Sequence, residues 1–300
     1  MRALTGIKPT AQPHVGNLLG MIEPALRLQE SHDAFYFIAD YHALTTLHDA
    51  ERMRNYARDV AATWLAFGLD PTRTALFAQS DVPVVTELAW LLSCVTGMGG
   101  LERAHAYKSA VADGREINVA TFTYPVLMAA DILAYDSHAV PVGRDQKQHV
   151  EMARDMAISF NSRFGEVFVV PEPLIRDDVA TIPGLDGRKM SKSYGNTIEV
   201  FLEPKPLRKK VMSVVTDSRS MDEVKDPDTC NAFALYRLFA TPPEVAAMRA
   251  RYLAPGLGYG HAKEALFAVM ERRLGPARAR YSELLAAPAE LDAVLVDGAT

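Results

Sequence analysis

Two lysines three positions apart, Lys189 and Lys192, belong to the short segment Lys-Met-Ser-Lys-Ser at residues 189–193. Glycine precedes this segment at position 187 and follows it at position 195, and it disfavours a stable helix or strand there. A loop that carries two ammonium groups suits a polyphosphate whose negative charge grows in a transition state. Taken by itself, the same pattern could be a solvated basic loop.

A second group of residues that suits phosphate binding lies near the N-terminus. His14, Gly16 and Asn17 stand between a predicted strand at Ala3–Ile7 and a predicted helix at Gly16–Gln29. Gly16 has no Cβ, so a ligand can approach the backbone closely, and the start of a helix attracts anions. His14 can donate a hydrogen bond to a phosphate or ribose oxygen. The alternative is a loop histidine followed by an asparagine with a capping role.

Polar side chains follow two of the predicted strands. The apolar run Phe35–Ala39 predicts a strand that is buried on both faces, and Asp40 and His42 come directly after it. Asp145 and Gln146 follow a later strand at a glycine turn. Ligands of parallel α/β sheets bind at the carboxyl ends of the strands, so these residues are candidates for binding. Helix capping is the alternative role for each aspartate.

One predicted helix carries an unexpected charge on its apolar face. Tyr124, Met128 and Asp131 fall at positions i, i+4 and i+7, which share one face. A buried carboxylate needs a hydrogen-bond donor, and an indole N–H is a donor only. Met128 would add a polarisable wall for an aromatic ring. The alternative is an exposed aspartate at the edge of a core helix.

Composition narrows the class of protein. The 300 residues are 49% hydrophobic and 23% charged, which is ordinary for a globular protein with a large core. The net charge of −5 argues against a general nucleic-acid coat protein. Cys94 and Cys230 form no disulfide framework or metal-binding spacing. Without a signal-peptide pattern or a membrane-spanning apolar run, we expect a cytoplasmic location.

The order of strand and helix patterns predicts the architecture. Strands alternate with helices in the first half, which predicts an α/β fold with a doubly wound, Rossmann-like parallel sheet. Helical periodicity dominates afterwards and includes separate helices at His261–Glu271 and Ala277–Leu285. We therefore predict a catalytic domain at 1–185, a mobile lysine loop at 186–195 and an all-helical domain at 196–300.

Together the two phosphate-binding patterns resemble the HIGH-like and KMSKS signatures of class I aminoacyl-tRNA synthetases. The run Tyr-Pro-Val-Leu-Met-Ala-Ala-Asp at 124–131 is similar to that of the bacterial tryptophanyl-tRNA synthetases and separates them from the tyrosyl family. The resemblance covers essentially the whole chain. It implies that the helical domain binds the tRNA anticodon.

The resemblance also implies roles for individual residues. It implies that ATP contacts Lys8, Thr10, His14, Gly16, Asn17, Gly143, Asp145, Lys189, Met190, Ser191 and Lys192. Among these, it implies catalytic roles for His14, Asn17, Lys189 and Lys192. It implies that tryptophan contacts His42, Tyr124, Met128, Asp131 and Gln146. No metal ligands are expected among the side chains, because Mg²⁺ would bridge the phosphates of ATP.

The activity implied by the resemblance is the ATP-dependent ligation of L-tryptophan to tRNA(Trp). It proceeds through tryptophanyl-adenylate, releases AMP and pyrophosphate, and is carried out by a homodimer. The nearest alternative is a tyrosyl-tRNA synthetase. A small-molecule adenylyltransferase and an inactive tRNA-binding paralogue are more distant alternatives.

Lys8 departs from the pattern, because many members of the family have glutamine there. The segment 101–108 also lacks the common Thr-Gln-Phe-Lys form, and the residues directly after Lys108 supply no cation. We hypothesise that Lys8 takes over part of the role of the missing lysine toward the triphosphate. The alternative is a surface lysine at a position of minor importance.

Overall fold

The computed structural model describes residues 1–9, 12–114, 117–142, 146–174 and 182–300. The chain forms two compact units. The first contains Met1–Ala11, Ala25–Asp178 and Ala287–Thr300. The second contains Gln12–Pro24 and Val179–Ala286. These units divide the chain differently from the three predicted domains, because the chain enters each unit more than once. The functional roles predicted for those domains stay predictions.

The first unit is built on a parallel sheet with five strands in its described residues. These are β1 (Arg2–Ile7), β2 (Asp33–Ile38), β3 (Ala75–Ala78), β4 (Ala139–Pro141) and β5 (Glu172–Leu174). Their order across the sheet is β3-β2-β1-β4-β5, and every neighbouring pair is parallel. The chain winds outward from β1 to β3 and then returns to the other side of β1. The predicted doubly wound sheet is thereby confirmed, and a crevice for ligands is expected where the winding reverses.

Helices account for most of the remaining described residues. The helices are α1 (Val15–Asn17), α2 (Glu23–Leu26), α3 (Asp40–Ala43), α4 (Ala50–Ala66), α5 (Val84–Ser93), α6 (Met98–Glu102), α7 (His105–Ala112), α8 (Val119–Leu133), α9 (Lys147–Phe164), α10 (Pro204–Met212), α11 (Asn231–Phe239), α12 (Pro242–Tyr252), α13 (Tyr259–Ala286) and α14 (Pro288–Gly298). A π-helical turn at Leu18–Ile22 and 3₁₀ turns at Arg27–Glu30, Gln79–Asp81 and Lys192–Tyr194 complete them. None of the helices in the described part of the chain is long and apolar enough to cross a membrane.

Helix α8 lies in the centre of the packing of the first unit. It packs against α5 and α9, and buried side chains from the sheet and these helices, among them Leu4, Phe77, Leu133 and Val150, form one apolar core. Asn118 caps the start of α8, because its Oδ1 accepts from the backbone N–H of Thr121 at 2.8 Å. The core therefore fixes the helix that carries the predicted specificity residues.

In the second unit α13 is one continuous helix, so the prediction of two helices separated near Gly275-Pro276 was wrong. Proline inside a helix removes one backbone hydrogen bond. Side-chain contacts span this weak point: the buried guanidinium of Arg278 pairs with Glu271 and donates to the carbonyl of Leu202 at 2.6 Å. A pair within the helix and a contact to another segment together outweigh the local preference for a break.

The last helix, α14, belongs to the first unit and packs against β3. Gly298 lies so close to this strand that a Cβ there would overlap the backbone of Leu76. Arg58 on α4 forms a two-pronged ion pair with Asp292, with N–O distances of 2.7 and 3.0 Å. A glycine contact and an ion pair thus hold the helix in place.

Candidate active site

The carboxylate of Asp131 is buried in the first unit and only 1% exposed. The side-chain nitrogen Nε2 of Gln79 donates to both of its oxygens, at 2.7 and 2.9 Å. Nε2 of His42 donates to Oδ2 at 2.9 Å. Burial raises the pKa of Asp131, while the hydrogen bonds from His42 and Gln79 oppose that rise by favouring the ionised form. The aspartate that the sequence placed on the apolar face of α8 is therefore a buried hydrogen-bond acceptor, and Gln79 and His42 are its donors.

A chain of aromatic and imidazole rings leads away from this carboxylate, beginning at His42. The ring of His42 meets the edge of Tyr124 with 4.5 Å between centroids, and His149 lies 5.3 Å from Tyr124 on another side. Nδ1 of His149 is 3.1 Å from Oε1 of Gln146. The structure thus brings four predicted tryptophan contacts, His42, Tyr124, Asp131 and Gln146, into one connected cluster. The fifth, Met128, is partly buried on α8 and packs against the apolar core.

Asp40, a candidate from its position after β2, connects two strand ends instead. Its carboxylate accepts the backbone N–H of Ser80 at 3.0 Å and the Ser80 hydroxyl. It also accepts the N–H of Tyr41 at 3.0 Å. Asp40 therefore fixes the turn that follows β3.

Lys8 directly follows β1 and lies beside the same cluster. Its Nζ is 5.3 Å from the ring centroid of Tyr124 and 3.5 Å from the hydroxyl of Thr45. Burial lowers the pKa of this ammonium group. Lys8 is therefore half-buried, and its predicted contact with ATP stays a prediction.

In the second unit, His14 and Asn17 cap each other at the start of α1. Nδ1 of His14 accepts the backbone N–H of Asn17 at 3.3 Å, and Oδ1 of Asn17 accepts the N–H of His14 at 3.1 Å. Burial and the positive charge of Lys192 lower the pKa of His14, with Glu199 opposing. A neutral ring that accepts at Nδ1 carries its proton on Nε2, so this nitrogen can donate to a ligand.

The lysine loop adjoins this turn within the second unit. The thioether of Met190 accepts the backbone N–H of Gly16 at 3.2 Å. A Cβ on residue 16 would meet both the His14 ring and Met190. Lys189 and Lys192 lie on the surface of the loop. Gly16 and Met190 are far apart in the sequence, and both are predicted to contact ATP. They are neighbours in this unit.

Asn196 organises the lysine loop. Its Nδ2 donates to Oδ1 of Asp186 at 2.7 Å and to the carbonyl of Lys189 at 3.1 Å. Its Oδ1 accepts the N–H of Ser191 at 2.8 Å. The predicted mobility of the loop stays a prediction, while Asn196 defines the form the loop adopts in this structure.

Three predicted ATP contacts, Thr10, Gly143 and Asp145, lie outside the described residues. Sequence patterns assigned no role to three further residues. They are Gln79 and His149 in the cluster around Asp131, and Asn196 in the lysine loop. Gln79 is the first residue after β3, and the position directly after a strand could have marked it as a candidate. His149 and Asn196 belong to no pattern that separates them from ordinary core polar residues.

Comparison with known proteins identifies the family. The model of the class I tRNA synthetases for tryptophan and tyrosine matches residues 1–275. The tryptophan–tRNA ligase of Rhodopirellula baltica is 52% identical over 302 residues, covering all of this chain and 93% of the relative. That of Pseudomonas aeruginosa is 49% identical over 311 residues, covering 99% of this chain and 69% of the relative.

A solved structure agrees with these relatives. The tryptophanyl-tRNA synthetase of Campylobacter jejuni, complexed with ADP and tryptophan, superimposes with a TM-score of 0.95 at 45% identity, covering all of this chain and 94% of the other. Sequence and fold thus agree along the whole length. The resemblance indicated by the two motifs is confirmed, and the chain belongs to the tryptophanyl-tRNA synthetases, within the class I synthetases for tryptophan and tyrosine.

Proposed function

We propose that this chain ligates L-tryptophan to tRNA(Trp) at the expense of ATP, as its relatives do, and that Asp131 selects the amino acid. Curated tryptophan–tRNA ligases at about half identity over the whole chain support the activity. The relative from Campylobacter, solved with ADP and tryptophan, favours tryptophan over the tyrosine alternative. A cytoplasmic location is part of this proposal, because tRNA and ATP are available there.

The reaction has two steps. The carboxylate of tryptophan attacks the α-phosphorus of MgATP, which forms tryptophanyl-adenylate and releases pyrophosphate. A hydroxyl of the terminal adenosine of tRNA then attacks the activated carbonyl and releases AMP. No protein nucleophile takes part, so the enzyme acts by positioning the reactants and stabilising charge.

The observation that carries the choice of amino acid is the buried carboxylate of Asp131. An indole N–H can only donate, and an ionised carboxylate can only accept. Its burial beside Tyr124 and His42 makes an unpaired acceptor costly, so a ring with a donor is favoured over one without.

Replacement Asp131→Asn tests this assignment. An amide accepts a hydrogen bond less strongly than a carboxylate, so kcat/KM for tryptophan in ATP–pyrophosphate exchange should fall roughly 10- to 100-fold. Asp136→Asn, an exposed aspartate a few residues later, is the matched control and should stay near wild type. If the wild-type enzyme used the analogue with sulfur in place of the ring nitrogen as well as it used tryptophan, Asp131 would not be the selecting group.

The nucleotide half of the proposal rests on the second unit. Nε2 of His14 offers a donor at the start of α1, and Lys189 and Lys192 present ammonium groups on the adjoining loop. These cations suit the charge that develops on pyrophosphate during adenylation. His14 and Asn17 are proposed to hold the phosphates, with the lysines acting mainly in the transition state.

Replacement Lys192→Ala should lower the rate of adenylation far more than it weakens tryptophan binding. Loss of such a contact typically raises the barrier by roughly 3 kcal/mol, because the charge it meets develops during the reaction. Single-turnover adenylate formation and tryptophan binding by calorimetry provide the two measurements. Lys205→Ala, another exposed lysine of this unit, serves as the control. Equal losses in rate and binding would contradict the role.

Replacement Lys8→Gln tests the cation beside Tyr124. If Lys8 acts on the triphosphate, the substitution should raise the KM for ATP or slow adenylation by about tenfold, equivalent to about 1.4 kcal/mol. Lys209→Gln removes an exposed lysine and should change neither constant. Kinetics of the Lys8→Gln enzyme within twofold of wild type for both ATP and tryptophan would remove Lys8 from the site.

A homodimer is proposed on an apolar surface of the first unit. Helices α5, α6 and α7 all pack against α8, and exposed apolar side chains project from this group. They are Val84, Trp90, Leu91, Met98, Val111 and Val119. Trp90 is 72% exposed, and exposed apolar clusters of this kind mark protein interfaces. The second copy of the chain is the proposed occupant.

Replacement Trp90→Glu should dissociate the dimer, because a charge in the centre of an apolar interface is costly to desolvate. Sedimentation equilibrium would measure the dissociation constant, which we expect to rise at least about tenfold. Leu253→Glu, at an exposed apolar residue of the second unit, is the control. A monomeric wild-type enzyme, or an unchanged constant, would contradict the proposed surface.

tRNA binding by the helical region rests on fewer cations than the sequence offers. Helices α12 and α13 carry six arginines, and among the described residues all of them except Arg251 pair with carboxylates. The pairs are Arg249–Asp228, Arg272–Glu244, Arg273–Glu23, Arg278–Glu271 and Arg280–Glu283. Arg208 and Lys210 on α10 pair with Glu264 and Glu199. Arg251, Lys205 and Lys209 are therefore the stronger candidates for phosphate contacts.

A further inference from the structure

Gln79 is a buried residue of the first unit for which the reaction so far has no use. It is the first residue after β3 and only 1% exposed. In the described residues, every hydrogen bond from its side chain goes to Asp131. The turn that carries it is fixed by Asp40, which binds both the N–H and the hydroxyl of the next residue, Ser80. A rigid turn therefore presents this amide to one carboxylate.

The geometry limits how Asp131 can meet a ligand. A carboxylate has about four positions at which it accepts hydrogen bonds. Gln79 occupies one on each oxygen, and His42 occupies the second on Oδ2. Among the described residues, the position left over is on Oδ1. Gln79 and His42 together thus determine which oxygen can accept the N–H of a substrate.

The other end of the Gln79 side chain gains no hydrogen bond from the fold. Its Oε1 is buried and has no hydrogen-bond partner in the described part of the chain. A buried acceptor without a partner costs free energy, and an apolar side chain of similar length would avoid that cost. An amide at this position is therefore better explained by its effect on Asp131 than by packing.

We propose that Gln79 is a positioning residue for tryptophan selection, which orients the carboxylate of Asp131 so that Oδ1 accepts the indole N–H. The inference rests on the proposed role of Asp131 and extends it to the residue that acts through it. The amide suits this task because it donates a hydrogen bond without adding a charge, so Asp131 keeps its full strength as an acceptor. Gln79 itself need not touch the substrate.

The test compares tryptophan with its analogue in which sulfur replaces the indole nitrogen, in ATP–pyrophosphate exchange with the full-length enzyme. Gln79→Met keeps the length of the side chain and removes the donor. It should lower kcat/KM for tryptophan by about tenfold, mainly through KM, and change that for the sulfur analogue less than twofold. The melting temperature should fall, because the buried carboxylate loses a donor, so the comparison of the two substrates, and not stability, reports the positioning role.

A double-mutant cycle shows whether Gln79 acts through Asp131. In the Asp131→Asn background, Gln79→Met should cost less than a further twofold, because the group it orients has already been weakened. Gln29→Met is the matched control, since that glutamine binds the backbone at Gly68 and Asp70. It should leave the preference for tryptophan over the analogue unchanged.

A second variant, Gln79→Glu, keeps the inference testable if Gln79→Met fails to fold. Gln79→Glu keeps the shape of the side chain but opposes two carboxylates, so tryptophan use should fall at neutral pH. It should recover partly as the pH is lowered and the pair gains a proton, which restores a donor toward Asp131. The wild-type enzyme should show no such recovery.

Several outcomes overturn the inference. An equal loss for tryptophan and the sulfur analogue in Gln79→Met would indicate a structural role, and so would additive effects in the double mutant. Unchanged discrimination would show that Asp131 needs no positioning by Gln79. Failure of the wild-type enzyme to activate tryptophan would instead contradict the proposed function, so the two failures are distinguishable.

Discussion

Hydrogen bonds to the buried carboxylate of Asp131 are the constraint on which the first unit depends for its chemistry. A charge that is almost fully desolvated is tolerated only when donors surround it. Gln79 after β3 and His42 after β2 supply them, and α8 holds the carboxylate between. Three elements must therefore keep their relative positions, and the apolar core around α8 keeps them there.

The core also fixes the edge of the sheet at which the polar side chains of the site lie. Strands β1, β2 and β3 end on one edge of the sheet, and each is followed by a side chain of the cluster: Lys8, His42 or Gln79. Turns at this edge can change residue by residue, while the strands behind them stay fixed. In the second unit reciprocal capping holds the start of α1, and Asn196 holds the lysine loop. Reciprocal side-chain hydrogen bonds there replace the support of a sheet.

Sequence patterns predicted the architecture and the most unusual residue of the site. Apolar runs interrupted by helical periodicity indicated the parallel sheet, and a carboxylate on an apolar helix face drew attention to Asp131. Gln79 was not predicted, because its role depends on a hydrogen bond to Asp131, which is far from it in the sequence. Asn196 was not predicted for a different reason. Its partners are close in sequence, but its role is to shape the lysine loop. Local signals report burial and periodicity, whereas pairing between distant residues requires the fold.

Local signals also misled at particular places. Gly275-Pro276 suggested a break in α13, yet Arg278 and Glu271 span it. Arginines are frequent in α12 and α13, yet most of them pair with carboxylates of the same unit. In the first case the ion pair lies within one helix and Arg278 is anchored to the carbonyl of Leu202, whereas in the second most of the carboxylate partners lie in other segments of the chain. Charge counted along a chain therefore overestimates the charge available to a partner.

The contact between Gly298 and Leu76 has a consequence for the order in which the protein is made. The first unit takes its last segment, 287–300, from the end of the chain, after the whole of 179–286 has been synthesised. At translation rates of about 5–20 residues per second, the stretch between β3 and the end of α14 leaves β3 without α14 for roughly 10–40 seconds. During that interval the backbone of Leu76 is open to other partners, including strands of neighbouring nascent chains. Gly298 allows α14 to pack closely against β3. Once α14 has packed there, the backbone of Leu76 is covered and the period in which misassembly can occur ends.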